Sequence, residues 1–334
     1  MHCTMWGLRV LIRVTLLCVV SAGSVAARVQ PRPQRTGPAQ FGVAPAASNH
    51  VIMQMCYAFS VSQRVPTVRI VVALPRSIEE KQKILEIAYS IEPVRIFYED
   101  ENRYAEFILI QPEELTTLRI DIEAELYRYD LGTARERKKT SRVKDAAIAD
   151  FLKEEQYLEK DEAAIQDISE SLKGETDVDK VRAIYSYVIE NMEYEIVEKD
   201  NLGAVYAAKN NKGDCTEYSD LFVALCRAKG IPARVITGYT ARFDEVSPKH
   251  HWVEVYLKDY GWVPFDPSWG DTEDKFIRNM AFERLQPAYV YLSHIRNDPV
   301  LYDHHFYAYS YYGSNGSFTN SVKFRQPSEK ENRP

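Results

Sequence analysis

The sequence predicts an α+β protein in which an all-β region precedes a region of helices packed on an antiparallel sheet. Short alternating runs bounded by turn residues occupy positions 49–130, which is the pattern of a β sandwich. Amphipathic stripes follow between 161 and 229, and two alternating segments joined by a tight turn span 250–267. The chain has 334 residues, of which 45% are hydrophobic and 27% charged, so it has room for two globular domains.

The first 27 residues have the three-part pattern of a secretory signal peptide. Arg9 and Arg13 precede an apolar run, and small residues at 25–27 suit a cleavage site. An uncleaved anchor is the alternative, but the apolar run is too short to span a bilayer. We therefore expect a secreted or periplasmic mature protein with no stable membrane insertion. Residues 28–48, which contain four prolines, are predicted to be a flexible linker.

Residues 49–140 are predicted to form the all-β, sandwich-like domain. No pattern within it indicates chemistry, so we expect a packing or substrate-presenting role. A charged run at 135–139 is the predicted domain junction, and the polar residues 326–334 are a predicted tail. The strand candidates are 51–61, 68–74, 84–89, 94–98, 103–110 and 118–129.

The second predicted domain, 141–325, begins with two helices at 161–172 and 177–192. Each has apolar residues at helical spacing. Thr176, followed three residues later by Asp179, is a start signal for the second of these helices.

The next predicted helix begins at Cys215 and ends near Gly230. Asp214 is a good N-cap and Glu217 lies three residues later, so the pair has the signature of a capping box. Gly213 allows a tight turn of the backbone just before the cysteine. Free N–H groups and partial positive charge at a helix N-terminus favour a thiolate, and Cys215 is therefore a candidate nucleophile.

The other cysteines of the mature chain are predicted to be structural. Cys226 lies eleven residues after Cys215, on about the same helix face but about 16 Å along the axis, which is beyond disulfide reach. Cys226 and Cys56 are interpreted as small buried hydrophobic residues. An odd count of cysteines outside the cytoplasm indicates at least one free thiol.

A predicted β hairpin supplies two further candidates. Alternating residues at 250–257 and 262–267, joined by a turn, predict two antiparallel strands. His250 lies on the first strand and Asp266 on the second. Together with Cys215 they form a possible set of base, orienting acid and nucleophile.

The length of the turn decides which of two neighbouring histidines faces the aspartate. If Gly261 ends a three-residue loop and pairs with Leu257, then His250 is the diagonal neighbour of Asp266 on the same face, within side-chain reach. A loop one residue longer would place His251 there instead, because a register slip reverses the faces. We favour His250, since the face of His251 alternates with apolar residues typical of a core.

Each of the three candidates lies in a longer motif: Cys215 in GDCTEYSDLFVALCRAKGIPARVITGY, His250 in HHWVEVY and Asp266 in GWVPFDPSWG. These motifs resemble the catalytic core of the transglutaminase-like superfamily over about residues 177–270. The resemblance implies a papain-like transglutaminase core, and in bacterial and archaeal members a small β domain often precedes it. It also implies that Cys215 is the nucleophile, His250 the base and Asp266 the orienting acid. One departure is His251, where the family usually carries a small residue.

The resemblance further implies an extracytoplasmic thiol enzyme that forms a thioester acyl-enzyme on protein or peptide amides. We rank peptide or amide hydrolysis, as by a cysteine protease, above cross-linking by a protein-glutamine transglutaminase. The reason is that the sequence has no pattern like the calcium sites of the animal cross-linking enzymes. A non-catalytic binding protein that keeps the fold is the alternative from a different class.

No cofactor and no metal site is expected. Zinc-type spacings and calcium-loop patterns are missing from the sequence, and His304 and His305 would face opposite sides of a strand. The formal net charge of −6 argues against a nucleic-acid partner, so a protein or peptide substrate is the expected partner. The aromatic residues after Asp266, among them Tyr289, are interpreted as strand packing in preference to a cleft wall. The sequence does not indicate the oligomeric state.

Overall fold

The computed structural model describes most of the chain between residues 47 and 327. The predicted signal peptide at 1–27, nearly all of the linker 28–48, the charged run at 135–139, His304-His305 and most of the predicted tail lie outside the described residues. The described ranges are 47–61, 65–112, 114–132, 148–197, 201–243, 245–302, 306–313 and 316–327.

Within these ranges the chain forms six α-helices, one short 3-10 helix (Asp150–Leu152) and sixteen strands. The helices are α1 (Ala163–Ser171), α2 (Asp177–Asn191), α3 (Gly203–Asn210), α4 (Cys215–Ala228), α5 (Pro267–Gly270) and α6 (Lys275–Glu283). The strands are β1 (Ser48–Val61), β2 (Thr67–Leu74), β3 (Gln82–Tyr89), β4 (Arg95–Glu99), β5 (Asn102–Ile110), β6 (Leu115–Tyr127), β7 (Tyr129–Asp130), β8 (Glu193–Tyr194), β9 (Lys212–Gly213), β10 (Ala233–Thr240), β11 (Lys249–Leu257), β12 (Gly261–Phe265), β13 (Arg284–Leu285), β14 (Tyr289–Ser293), β15 (Tyr307–Tyr311) and β16 (Gly316–Arg325). None of the helices in the described part of the chain is long and apolar enough to cross a membrane.

Two four-stranded antiparallel sheets form the N-terminal sandwich. One has the strand order β16-β1-β6-β3 and the other the order β15-β2-β5-β4. Aromatic side chains from the two sheets meet between them. Tyr57 packs edge-on against Tyr307 with ring centroids 5.5 Å apart, and Tyr89 lies 6.0 Å from Phe107. The all-β region predicted from the sequence is confirmed.

The last two strands complete this sandwich. β15 pairs with β2, and β16 pairs with β1 in a continuous register from Ile52 opposite Arg325 to Val61 opposite Gly316. This differs from the predicted second domain of 141–325, which contains both strands. The physical reason is that alternation of side chains predicts a strand and its buried face, but not the distant strand with which it pairs.

A third antiparallel sheet, of strand order β12-β11-β10-β14, carries the helices. Helix α4 packs on β10 and β11, and the helices α1, α2 and α3 pack around α4. The apolar stripe of α4, which includes Leu221, Phe222 and Leu225, is fully buried. The start signal of α2 is confirmed, since Thr176 and Asp179 form a capping box. The α+β class, with helices packed on an antiparallel sheet, is likewise confirmed.

Polar contacts join the sandwich to the third sheet, β12-β11-β10-β14. Lys81, which precedes β3, forms a buried ion pair with Glu254 of β11, and the other oxygen of Glu254 accepts a hydrogen bond from Arg234 at 2.6 Å. The side chain of Gln82 accepts from the N–H of Tyr291 at 2.8 Å and donates to its carbonyl at 3.0 Å. The sandwich therefore contacts both β11 and β14.

We expect Glu254→Ala to destabilise the fold strongly. Burial disfavours the charge of Glu254, but Lys81 and Arg234 outweigh this and lower its pKa. The alanine variant would leave both cations buried without their partner, so the free energy of unfolding should fall by about 3–5 kcal/mol. Chemical denaturation measures the loss. The matched control is Glu190→Ala, because Glu190 is 57% exposed and pairs with Arg278 at the surface, where about 0–1 kcal/mol is expected. Equal losses in the two variants would contradict the prediction.

Candidate active site

Cys215 is the first residue of α4, and the cap of this helix shapes its surroundings. Asp214 accepts from the Thr216 N–H at 2.8 Å and from the N–H of Glu217, whose carboxylate accepts in turn from the Asp214 N–H at 3.1 Å. The predicted capping box is thus confirmed. A helix begins with four amides that lack intrahelical partners. The cap uses three of them, and the fourth is the N–H of Cys215.

Glu217 also ties the approach segment to the helix. Its second carboxylate oxygen accepts from the Leu202 N–H at 3.3 Å. Gly213 makes room for this carboxylate, since a Cβ at that position would lie 2.3 Å from the Cβ of Glu217. Burial, followed by the Asp214 and Asp220 carboxylates, raises the pKa of Glu217 to about 7. The sequence predicts only the capping role, because the contact with Leu202 arises from tertiary folding.

The β11–β12 hairpin has the register that directs His250 towards Asp266. Leu257 pairs with Gly261, and Gly261 has a φ of +74°, so the loop comprises residues 258–260. His250 Nε2 lies 2.7 Å from Asp266 Oδ2. The predicted pairing of Leu257 with Gly261 is confirmed.

His251 lies on the opposite face of β11 and contacts the first turn of α4. Its Nδ1 lies 3.2 Å from the hydroxyl oxygen of Thr216, and its ring packs edge-on against Phe306 with centroids 5.7 Å apart. The residue is buried, as its alternation with apolar neighbours predicts. The contact with Thr216, directly after Cys215, is not evident from the sequence.

Asp266 has no exposed surface, and both of its carboxylate oxygens accept hydrogen bonds. Oδ1 accepts from the hydroxyl of Ser268 and from the N–H of Trp269, both at 2.9 Å. Oδ2 is the oxygen that lies against His250, and it also accepts from the hydroxyl of Tyr289 at 2.8 Å. These contacts hold the carboxylate in one orientation.

The pair formed by His250 and Asp266 is held in its charged form. Burial lowers the pKa of His250, but Asp266 and then Cys215 outweigh burial and raise it to about 10. Burial also disfavours the charge of Asp266, yet His250 and the other donors bring its pKa below the usual range. Part of the His250 shift comes from a hydrogen bond with Cys215, which places the thiol beside the imidazole. The structure therefore brings the three predicted residues together.

The other two cysteines of the described chain, Cys226 and Cys56, lie away from this site. Cys226 has no exposed surface, and burial raises the pKa of its thiol. Cys56 is only half-buried on β1, and burial raises its thiol pKa as well.

Among the described residues, no group of three or more His, Cys, Asp or Glu side chains is arranged to hold a metal ion.

A protein-family model matches the region that contains the three candidate residues. The family model described as the transglutaminase-like superfamily matches residues 164–267, which include Cys215, His250 and Asp266. Residues 164–267 belong to the transglutaminase-like superfamily.

Two curated relatives match part of this chain. The uncharacterized protein YebA of Bacillus subtilis (strain 168) is 32% identical over 115 residues, and the human kyphoscoliosis peptidase is 30% identical over 107 residues. Each match covers 28% of this chain and 16% of the relative. The chain thus spans about a sixth of the length of these relatives.

A solved structure shares the fold over most of the chain. It is a proposed cysteine protease from Cytophaga hutchinsonii, with a TM-score of 0.59 and 19% sequence identity. The alignment covers 84% of this chain and 92% of that protein. The shared fold thus extends beyond residues 164–267 to most of the chain.

Removal of the Asp266 charge should lower the pKa of His250. Asp266→Asn keeps the shape of the side chain but removes the main cause that raises this pKa, and it leaves burial, which lowers it. Cys215 still raises it, so we expect the pKa to fall from about 10 towards about 6.5. NMR titration of the His250 ring protons measures this value. The control is Asp271→Asn, because Asp271 binds Tyr218 and not His250. A His250 pKa that stays near 10 in Asp266→Asn would contradict the assignment of this pair.

Proposed function

We propose that this protein is an extracytoplasmic thiol enzyme that hydrolyses peptide or amide bonds through a thioester on Cys215. One observation carries the proposal. The Cys215 thiol, at a helix N-terminus, lies beside the imidazole of His250, and Nε2 of that imidazole is 2.7 Å from the buried Asp266 carboxylate. Nucleophile, base and orienting acid in this arrangement suit acyl transfer.

In the proposed reaction, His250 already holds the proton of the Cys215 thiol, and the resulting thiolate attacks the carbonyl carbon of the amide. The Cys215 N–H, which the helix cap leaves available, donates to the oxyanion of the tetrahedral intermediate. His250 returns the proton to the leaving amine as the C–N bond breaks, and a thioester remains. His250 then takes a proton from water as the water oxygen attacks the thioester, and the C–S bond breaks to release a carboxylic acid and the Cys215 thiolate beside the imidazolium, which restores the starting state. Asp266 orients the imidazole and stabilises its charged form.

The substrate class and the location rest on different grounds. A protein or peptide substrate is supported by two of the similar proteins, which are named as a peptidase and as a proposed cysteine protease. These names also favour hydrolysis over cross-linking. The extracytoplasmic location rests on the signal-peptide pattern of residues 1–27.

Mass spectrometry of a peptide mixture incubated with the protein tests the proposal. We expect cleaved or deamidated peptides, together with an acyl adduct on Cys215 after an acid quench, and Cys215→Ala should abolish all of these. Cys226→Ala is the matched control, because it removes a buried thiol on the same helix and should reduce stability without abolishing product formation. Cys215-dependent cross-links to lysine in place of cleavage would support a transglutaminase. No Cys215-dependent product would favour the binding protein and overturn the proposal.

The two adjacent histidines should respond differently to substitution. His250→Ala should slow acylation of Cys215 by a factor on the order of 10²–10⁴, the usual contribution of a positioned base. His251→Ala should act mainly on stability, because it removes the contacts with Thr216 and Phe306. Single-turnover acylation followed by mass spectrometry gives the rates, and circular dichroism checks the fold. A slow reaction in His251→Ala with a normal rate in His250→Ala would move the base to His251.

A further inference from the structure

Tyr289 reaches the charged pair from across the sheet. It lies on β14, which is separated from the His250 strand β11 by β10. Its hydroxyl nevertheless donates to Asp266 Oδ2 at 2.8 Å, and this is the oxygen that also lies 2.7 Å from His250 Nε2. Asp266 Oδ2 therefore contacts two side chains, His250 and Tyr289, from strands that are not neighbours in the sheet.

Gly238 in the middle of β10 allows these side chains to meet. It pairs with His250 on one side and with Tyr291 on the other. A Cβ on Gly238 would lie 2.7 Å from Cη2 of Trp252, so the indole ring occupies the space above the glycine. The indole stacks on the ring of His250, with centroids 5.8 Å apart, and packs edge-on against Tyr289 at 5.1 Å. The aromatic layer fixes the ring of Tyr289 beside the carboxylate.

The hydroxyl of Tyr289 stays protonated and remains a donor. Burial, and then the Asp266 carboxylate, raises its pKa well above that of a free phenol. Tyr185 also lies near Asp266, but its hydroxyl is directed at a backbone carbonyl 3.5 Å away. The titratable groups that face Asp266 are His250 of β11, Tyr289 of β14 and Tyr185 of α2.

We propose that Tyr289 is a positioning residue, which keeps the Asp266 carboxylate ionised and directed at His250 so that the ion pair of Cys215 and His250 persists at mildly acidic pH. This inference rests on the proposed function. A donated hydrogen bond stabilises a carboxylate relative to the carboxylic acid, so the proton stays on Nε2 of the imidazole. Because the donor is neutral, it adds no further buried charge.

Alkylation of Cys215 by iodoacetamide, measured as a function of pH, tests the role of Tyr289. Tyr289→Phe removes the hydroxyl and keeps the ring against Trp252. We expect the midpoint of the alkylation profile to move up by about one pH unit, which is a rate on the order of tenfold lower near pH 6. The rate well above pH 10 should match the wild type, because the imidazole is then neutral and the thiolate forms without the imidazolium.

Tyr291→Phe is the matched control. Tyr291 lies two residues further along β14 and packs edge-on against Trp252 at 4.8 Å. Its loss removes a tyrosine hydroxyl from the same strand and leaves the donor to Asp266 in place, so the alkylation profile should match the wild type. A purely structural role for the Tyr289 hydroxyl would lower thermal stability in Tyr289→Phe and leave its profile unchanged.

The outcomes separate this inference from the proposed function. Fast alkylation in the wild type with an unchanged profile in Tyr289→Phe would overturn the role of Tyr289 and leave the thiol enzyme intact. A wild-type thiol that reacts only at alkaline pH would overturn the proposed function itself. If Tyr289→Phe does not fold, 3-fluorotyrosine at position 289 gives the test. Its more acidic phenol donates more strongly, so the midpoint should move to lower pH, and an unmoved midpoint would overturn the inference.

Discussion

Asp266 is a charged side chain with no exposed surface, and much of the site follows from the need to satisfy it. Transfer of a carboxylate from water into a protein costs several kcal/mol unless its oxygens are paired. Here Ser268 and Trp269 bind one oxygen, while His250 and Tyr289 bind the other. These partners come from β11, from the start of α5 and from β14. The same requirement explains why an imidazole with a strongly raised pKa lies at the edge of a largely apolar core.

A second buried carboxylate connects this site to the sandwich. Glu254 lies four residues beyond His250 on β11, and it pairs with Lys81 from the sandwich as well as with Arg234 from β10. The segment after β14 is held in a similar way, because Tyr104 of β5 donates to Asp298 at 2.7 Å. The strand that carries the candidate base therefore has polar support from the N-terminal domain. We interpret the sandwich as a structural support for the third sheet, β12-β11-β10-β14. This agrees with the sequence of the sandwich, in which no pattern indicates chemistry.

The parts of the fold that the sequence predicts well are those set by neighbouring residues. The capping pair Asp214 and Glu217 locates the start of α4, and Gly261 tolerates the left-handed conformation that gives the hairpin its register. From that register the direction of His250 follows. The contact of Tyr289 with Asp266 is different, because alternation along β14 predicts a strand without its neighbours. It depends on the bare backbone of Gly238 in an intervening strand, and the pairing of β16 with β1 likewise depends on burial across the whole chain.

The pairing of β1 with β16 also has a consequence for synthesis of the chain. Residues of β1 leave the ribosome well before their partners on β16, as with Ile52 and its partner Arg325. At about 5–20 residues per second, β1 waits on the order of tens of seconds for this neighbour. During that interval one of its edges is open, and an open edge can pair with other chains. The sandwich can therefore be completed only after the whole helical region has been translated, although most of its strands leave the ribosome before that region.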